Sequence, residues 1–419
     1  MSTGSRSVGS FDWVLILLYL ALISIGWLSI YSASYNPEVE NFFNLDNLHF
    51  KQLIWIGLGF IIITFILFLD SKFFERFSSL IYVIAIVSLL LLFPLGKNIN
   101  GATSWFAFGS FTLQPSEFAK VATALALAKY LSDIQTNIKT LRDQLRAFLI
   151  IAIPALVIIP QPDPGSALVY AAFFFPLYRE GIAAVYLILG ASVVTLFVLT
   201  LLFGPLYIAL GVGTIAVLLF LKNRKKRPSK LMYTGIVLAC TLFSFSVNYI
   251  FENVFQQRHR DRFNIVLGKE ADTQSIGYNT RQSEIAIGNG GWTGQGFLQG
   301  TQTTGKFVPE QDTDYIFSAV GEEWGFMGSA LVVMLFVLLI LRIIQLSEKQ
   351  KNDFSRIYGY SVAGIIFIHF TVNVGMVTGL LPTIGIPLPF FSYGGSGFWG
   401  FTILLFIFIK LDGNRVNEW

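Results

Sequence analysis

The stretch WVLILLYLALISIGWLSIYS, residues 13–32, runs without a single charged side chain. About 20 mostly apolar residues in a helix span the hydrocarbon core of a bilayer, and this run is long enough to do so. Outward from it, similar runs recur near 53–70, 79–95, 117–132, 147–160, 166–178, 182–203, 205–222, 231–250, 316–343, 356–380 and 392–410. The chain therefore reads as an all-α, polytopic transmembrane helical bundle of about 12 spans. Two runs, 147–160 and 166–178, are short and flank Gln161-Pro162-Asp163-Pro164-Gly165. They read as helices meeting a polar break, which is tolerated at membrane depth only where the backbone is buried in protein or wet. The first run lacks a small-residue cleavage site, so it is expected to persist as a span rather than be removed as a signal.

Composition points the same way. Of 419 residues, 54% are hydrophobic and 13% charged, against about 25% charged in soluble domains. Such a chain cannot coat itself for water, which excludes soluble, disordered and collagen-like classes. The single Cys240 excludes a disulfide framework and any Cys-rich metal site. His49, His259 and His369 lie far apart in sequence, which argues against a His-built metal centre, and a net charge of +4 is too small to call for a nucleic-acid partner.

Orientation follows from Lys and Arg, which favour the cytoplasmic side. With the N-terminus inside, 19 of the 29 Lys and Arg fall in inside segments, including the basic run 222–230. Both termini are then cytoplasmic. The chain divides into a nine-span part, 1–250, a large extracytoplasmic loop, 251–315, and a three-span part, 316–419. The loop holds nine glycines and interspersed Trp292, Phe297 and Phe307, which argues for an ordered, site-forming segment.

Four polar clusters lie at or near membrane depth, where ionisable groups are expensive and become functional candidates. The first runs from Asn100 to Lys120. Pro115 and Ser116 read as a helix start, and Glu117 and Lys120, three apart, share a helix face. They form either a self-neutralising pair or a site where Lys120 meets an anionic ligand. In the second cluster, Asp163 stands between two prolines, to cap the following helix or to line a cavity. The third is Pro309-Glu310-Gln311-Asp312-Thr313-Asp314-Tyr315, where the loop re-enters the membrane. Asp314 fits an N-cap or a general base equally well on spacing alone. The fourth, 381–396, is rich in Pro and Gly and reads as scaffold or lipid groove. All four fall on the outer side and can face one cavity, suited to a substrate with an anionic head and a lipid tail.

At Asn100–Lys120, Gln161–Leu168, Gly277–Phe317 and Asn373–Ser396 the chain resembles the SEDS family (shape, elongation, division and sporulation proteins), nearly end to end. The resemblance implies a multi-pass bacterial inner-membrane peptidoglycan glycosyltransferase that polymerises lipid II, an undecaprenyl-linked precursor. It also implies a class B penicillin-binding protein (a transpeptidase) and elongation-machinery membrane proteins as partners. Gly300-Thr301-Gln302 and Asn373–Gly379 are closer to the rod-shape branch than to the division branch. Residue by residue, the family's essential acid falls on Asp314, its Gln-Pro-Ser-Glu motif on Gln114–Glu117, its lysine on Lys120 and its Trp on Trp105. Two departures stand out. Ser104 occupies the place where members commonly carry Arg, and a pair of runs, 205–222 and 231–250, is additional to the usual ten spans.

The implied reaction has Asp314 take a proton from the acceptor sugar hydroxyl as it attacks the donor's anomeric carbon. Lys120, Arg258, Arg262 and Arg281 are candidates to stabilise the leaving pyrophosphate. Trp105, Glu117, Asp163, Glu310 and Ser392 complete the candidate substrate-binding set. A divalent cation such as magnesium would suit the chemistry, although no metal-ligand spacing shows itself. Competing readings are a division-type polymerase, a lipid II flippase, which would favour paired broken helices in two repeated halves, and a scaffold for a transpeptidase.

Overall fold

A computed structural model describes residues 11–35, 43–99, 101–109, 111–223, 229–255, 257–269 and 276–415. Expectations resting on the extreme termini, on Asn100 and on the basic residues 224–227 lie outside the described residues, as does the Arg258 side chain. The chain packs as two units, Met1–Ile182 with Asn279–Trp419, and Ala183–Tyr278. These units divide the chain at other points than the boundaries at 250 and 315 between span parts and loop.

The larger unit opens with α1 (Trp13–Ser34), α2 (Leu48–Phe68) and α3 (Ser71–Leu95). Asp12 caps α1 by accepting from the Leu15 N–H at 2.9 Å, and Asp70 caps α3 by accepting from Lys72 N–H at 3.0 Å. A short antiparallel sheet follows, β1 (Lys97–Ile99), β2 (Ala102–Phe108) and β3 (Phe111–Leu113), in the order β1-β2-β3. The polar cluster read from sequence is thus strand over much of its length. Next come α4 (Pro115–Leu131), α5 (Leu141–Ile158), the broken passage α6 (Pro164–Leu168) with a 3-10 turn Val169–Phe173, and α7 (Phe174–Arg179). The Pro-flanked break at 161–165 is real, and it interrupts the helix as two prolines in a row of five dictate.

The smaller unit comprises α8 (Val185–Phe203), α9 (Pro205–Lys222), α10 (Lys230–Asn253) and α11 (Gln257–Val266). Its core is Leu201, Val247 and Phe251, with Thr200 donating to Ser244 Oγ at 3.1 Å. None of the described α9 residues is buried, as suits a helix facing lipid.

The larger unit resumes within α12 (Ile276–Gly290) and continues through α13 (Thr301–Thr304), α14 (Ile316–Ser347), α15 (Asp353–Val377) and α16 (Gly395–Gly413). Among its described residues the loop between α10 and α14 is partly helical, with α11, α12 and α13. Glu322 ties it down, its two carboxylate oxygens accepting four bonds of 2.6–3.1 Å from Thr301, Gln302 and Thr303. Among the described residues, nine helices are long and apolar enough to cross a membrane. The runs 117–132, 147–160 and 166–178 form α4, α5 and the broken passage. The core of the unit is α4, α15 and α16, which pack on one another and bury most of their length.

Candidate functional site

Asp314 ends a tight turn that leads into α14. Glu310 adopts φ +56°, and its carbonyl accepts from the N–H groups of Thr313 and Tyr315, both at 3.1 Å. The carbonyls of Asp312, Thr313 and Asp314 are each bonded from the C-terminal part of the chain. Tyr393 N–H donates to Asp312 O at 2.8 Å, Ser392 Oγ to Thr313 O at 2.7 Å, and Asn373 Nδ2 to Asp314 O at 2.8 Å. Tyr315 Oη lies 2.9 Å from Thr383 Oγ1 and 3.3 Å from Thr280 Oγ1. The turn is clamped through its backbone to the C-terminal part of the chain.

Tyr315 holds the N-cap position of α14 and makes no side-chain cap bond, while Thr313 Oγ1 donates to the Glu310 carboxylate at 2.9 Å. The start of α14 is organised by backbone and by Ser318 Oγ donating to Tyr315 O at 2.7 Å. Gly385 is apposed to the acid, since a Cβ there would lie 3.4 Å from Asp314 Oδ2, and its φ of +78° is one that glycine adopts freely. Two residues earlier, burial pushes the Asp312 carboxyl above its ordinary range, reinforced by Glu310 and opposed by Lys306. Asp312, Glu310, Lys306, Asp46 and Ser34 help line a cavity of about 380 Å³ beside the turn.

Glu117 and Lys120 stand on α4 as an ion pair, Lys120 Nζ donating to both Glu117 oxygens at 2.9 Å. Their side chains are 3% and 2% exposed. Nζ also lies 2.8 Å from His369 Nε2 and 4.9 Å from the Phe401 ring centre. This arrangement favours the self-neutralising pair over an anion-binding lysine, because the ammonium is already surrounded by acceptors and an aromatic face. Ser392 is similarly engaged, donating to Thr313 O and accepting from Leu388 N–H at 2.8 Å. These two bonds make it a clamp between two loops.

Asp163 is a cap. Its Oδ1 accepts from Ser166 N–H at 3.0 Å and its Oδ2 from Ser166 Oγ at 2.8 Å. Gln114 Nε2 also donates to Oδ2, at 2.9 Å, so the same acid ties the start of α4 to the break. Trp105 lies on β2, half-buried, and pairs in register with Lys97. Its neighbour Ser104 is fully buried and donates to Gln161 O at 3.3 Å, so this position offers no phosphate contact. Arg281 is exposed on α12, one residue from Thr280 and hence from the Tyr315 hydroxyl cluster. Arg262 belongs to the smaller unit, on α11.

The clusters meet. The first and second join through Gln114–Asp163 and Ser116–Ser166, the latter at 3.3 Å. The second meets the fourth where a Cβ on Gly165 would lie 3.0 Å from the carbonyl oxygens of Gly385 and Ile384. The third and fourth join through the Asp312 and Thr313 carbonyls, bonded from Tyr393 and Ser392. Sequence reasoning missed His369 and Asn373, both buried. The signal was available: two polar residues four apart on one face of an apolar helix. Among the described residues, no group of three or more His, Cys, Asp or Glu is placed to hold a metal ion.

Comparison with known proteins gives a consistent result. The FtsW, RodA and SpoVE cell cycle protein model matches residues 12–234 and 207–416. The peptidoglycan glycosyltransferase RodA of Treponema pallidum is 33% identical, covering 98% of this chain and 99% of its own. Stage V sporulation protein E of Bacillus subtilis is 31% identical, covering 92% of each. Among solved structures, a chain from a study of polymerization and crosslinking by a peptidoglycan synthase complex superposes with TM-score 0.73 at 24% identity, over 98% of this chain and 99% of that one. Thermus thermophilus RodA does so with TM-score 0.63 at 21% identity over the same shares. Those likenesses carry the fold, and the sequence matches carry the family: the chain belongs to the FtsW, RodA and SpoVE family of cell cycle proteins, the SEDS family that its motifs resemble.

Proposed function

We propose that this multi-pass membrane protein is a peptidoglycan glycosyltransferase that polymerises lipid II at the outer face of the bacterial cytoplasmic membrane, in the elongation branch. The observation that carries this reading is the clamped turn, which carries Asp314 two residues beyond Asp312, the last of its residues to line the cavity of about 380 Å³. Asp314 accepts the proton of the acceptor sugar hydroxyl. That oxygen bonds to the donor's anomeric carbon, and the bond from this carbon to the lipid pyrophosphate breaks, releasing undecaprenyl pyrophosphate. Of the basic residues considered, exposed Arg281 and cavity-lining Lys306 are the ones suited to meet the developing negative charge. The cavity of about 380 Å³ takes part of the polar head. No step is routed through a metal.

The full-length relative named RodA and the neighbouring structure drawn from a peptidoglycan synthase complex support a transpeptidase partner of the class B penicillin-binding type. Cytoplasmic termini and contacts with other elongation proteins complete the proposal. The test is polymerisation of lipid II by purified protein, with and without that partner, for wild type and Asp314→Ala. Glycan strands from wild type and none from a correctly inserted Asp314→Ala are expected. Strands made by Asp314→Ala would remove the base, and a wild type that moves lipid II across vesicles without making strands would indicate a transporter.

A further inference from the structure

The geometry points to Asn373 as a positioning residue for Asp314, held in turn by His369 and the buried Glu117–Lys120 pair. This rests on the proposal that Asp314 is the general base. Asn373 Nδ2 donates to Asp314 O at 2.8 Å and to Ile386 O at 2.7 Å. Both neighbours are carbonyl oxygens, which only accept, so the amide orientation is fixed by chemistry. One NH₂ group thereby ties together the backbone that carries the acid and the residue after Gly385, which underlies the acid's Oδ2. The other side of the amide, Asn373 Oδ1, is buried without a hydrogen-bond partner. A buried acceptor left unsatisfied destabilises the fold, so the residue is a poor choice for packing alone and a good one for holding two carbonyls.

The support continues one helical turn back. His369, four residues before Asn373 on α15, faces Pro387 O through Nδ1 at 3.1 Å and Lys120 Nζ through Nε2 at 2.8 Å. A carbonyl can only accept and an ammonium can only donate, so the ring is the neutral tautomer with its hydrogen on Nδ1. Consecutive residues 386 and 387 are thus bonded to consecutive turns of α15. The chain of contacts runs Glu117, Lys120, His369, Pro387, Ile386, Asn373, Asp314. A general base must be held within a fraction of an ångström of its proton donor, and a misplacement of about 1 Å can cost on the order of 100-fold in rate.

The test measures lipid II polymerisation by the purified full chain with its transpeptidase partner, as kcat and KM, beside melting temperature. Asn373→Ala is expected to lower kcat by about 10- to 100-fold with KM within about twofold, at a level close to wild type and with a lowered melting temperature, because two backbone carbonyls lose their donor. Unchanged kcat in that variant overturns the proposal. If Asn373→Ala fails to fold, the pair His369→Gln and His369→Leu decides. Glutamine offers one donor and one acceptor and should keep kcat within about threefold, whereas leucine offers neither and should lose about tenfold or more; equal rates overturn the proposal. Asp314→Ala is run alongside. Activity in that variant removes the base reading itself, while an inactive Asp314→Ala beside a fully active Asn373→Ala removes only the positioning role.

Discussion

Lys120→Met distinguishes a buried structural pair from a substrate-binding lysine. Methionine keeps the length and apolar stem of the side chain and removes an ammonium that touches both Glu117 oxygens at 2.9 Å and His369 Nε2 at 2.8 Å. Glu117 is 3% exposed, so the abandoned carboxylate cannot regain water without opening the helix bundle. Breaking one partner of a buried pair costs about 3–5 kcal/mol, whereas breaking a solvent-exposed pair costs about 0–1 kcal/mol. The burial selects the larger figure, equivalent to a loss of about 100-fold or more in the folding equilibrium. Thermal unfolding of the purified protein would measure it for Lys120→Met, Glu117→Gln and the double variant. The double variant leaves no unpaired charge and is expected to recover most of the loss. If Lys120→Met melted like wild type and instead raised the KM for lipid II, the burial argument would be wrong and Lys120 would return to the substrate.

Gly165→Ala tests the meeting of the polar break with the loop beneath Asp314. Its Cβ would lie 3.0 Å from two backbone carbonyl oxygens and 3.1 Å from Ile386 Cγ1. Backbone cannot swing aside, so a destabilisation of about 1–3 kcal/mol is expected with about a tenfold loss of polymerisation rate; wild-type melting and rate together would contradict the close approach. At the opposite end of α14, the hydrogen bonds of Arg179, at 2.6 and 2.7 Å, and then the Tyr360 hydroxyl pull the Glu348 carboxyl down to about 2. A carboxylate depressed on folding stabilises above its ordinary value of 4.5, and that contribution drains away as pH falls towards about 2. Both side chains are 41% exposed, so solvent screening keeps the effect small. The melting difference between wild type and Arg179→Ala should be modest at pH 7 and shrink on acidification below pH 4.5, and a difference that widened instead would reverse the sign.

By itself the amino-acid sequence determined that the chain lives in a membrane, because uncharged runs such as 13–32 have no stable place in water. It also located the break at Gln161–Gly165 and the acidic turn before Ile316, where Pro, Gly and carboxylates interrupt apolar sequence. The small sheet over 97–113 was hidden, since its strands are short and read equally well as a polar connection. Which polar groups meet was decided only by tertiary structure. Lys120 finds His369 across 249 positions, and Asn373 reaches Asp314 across 59. In a soluble protein the apolar stripe of a helix tells which face turns inward. In a bilayer the lipid-facing side is as apolar as the packed side, so polar residues such as Lys120, His369 and Asn373 mark an inward face, but which of them meet is set by how the helices pack, and periodicity along the chain carries no record of that.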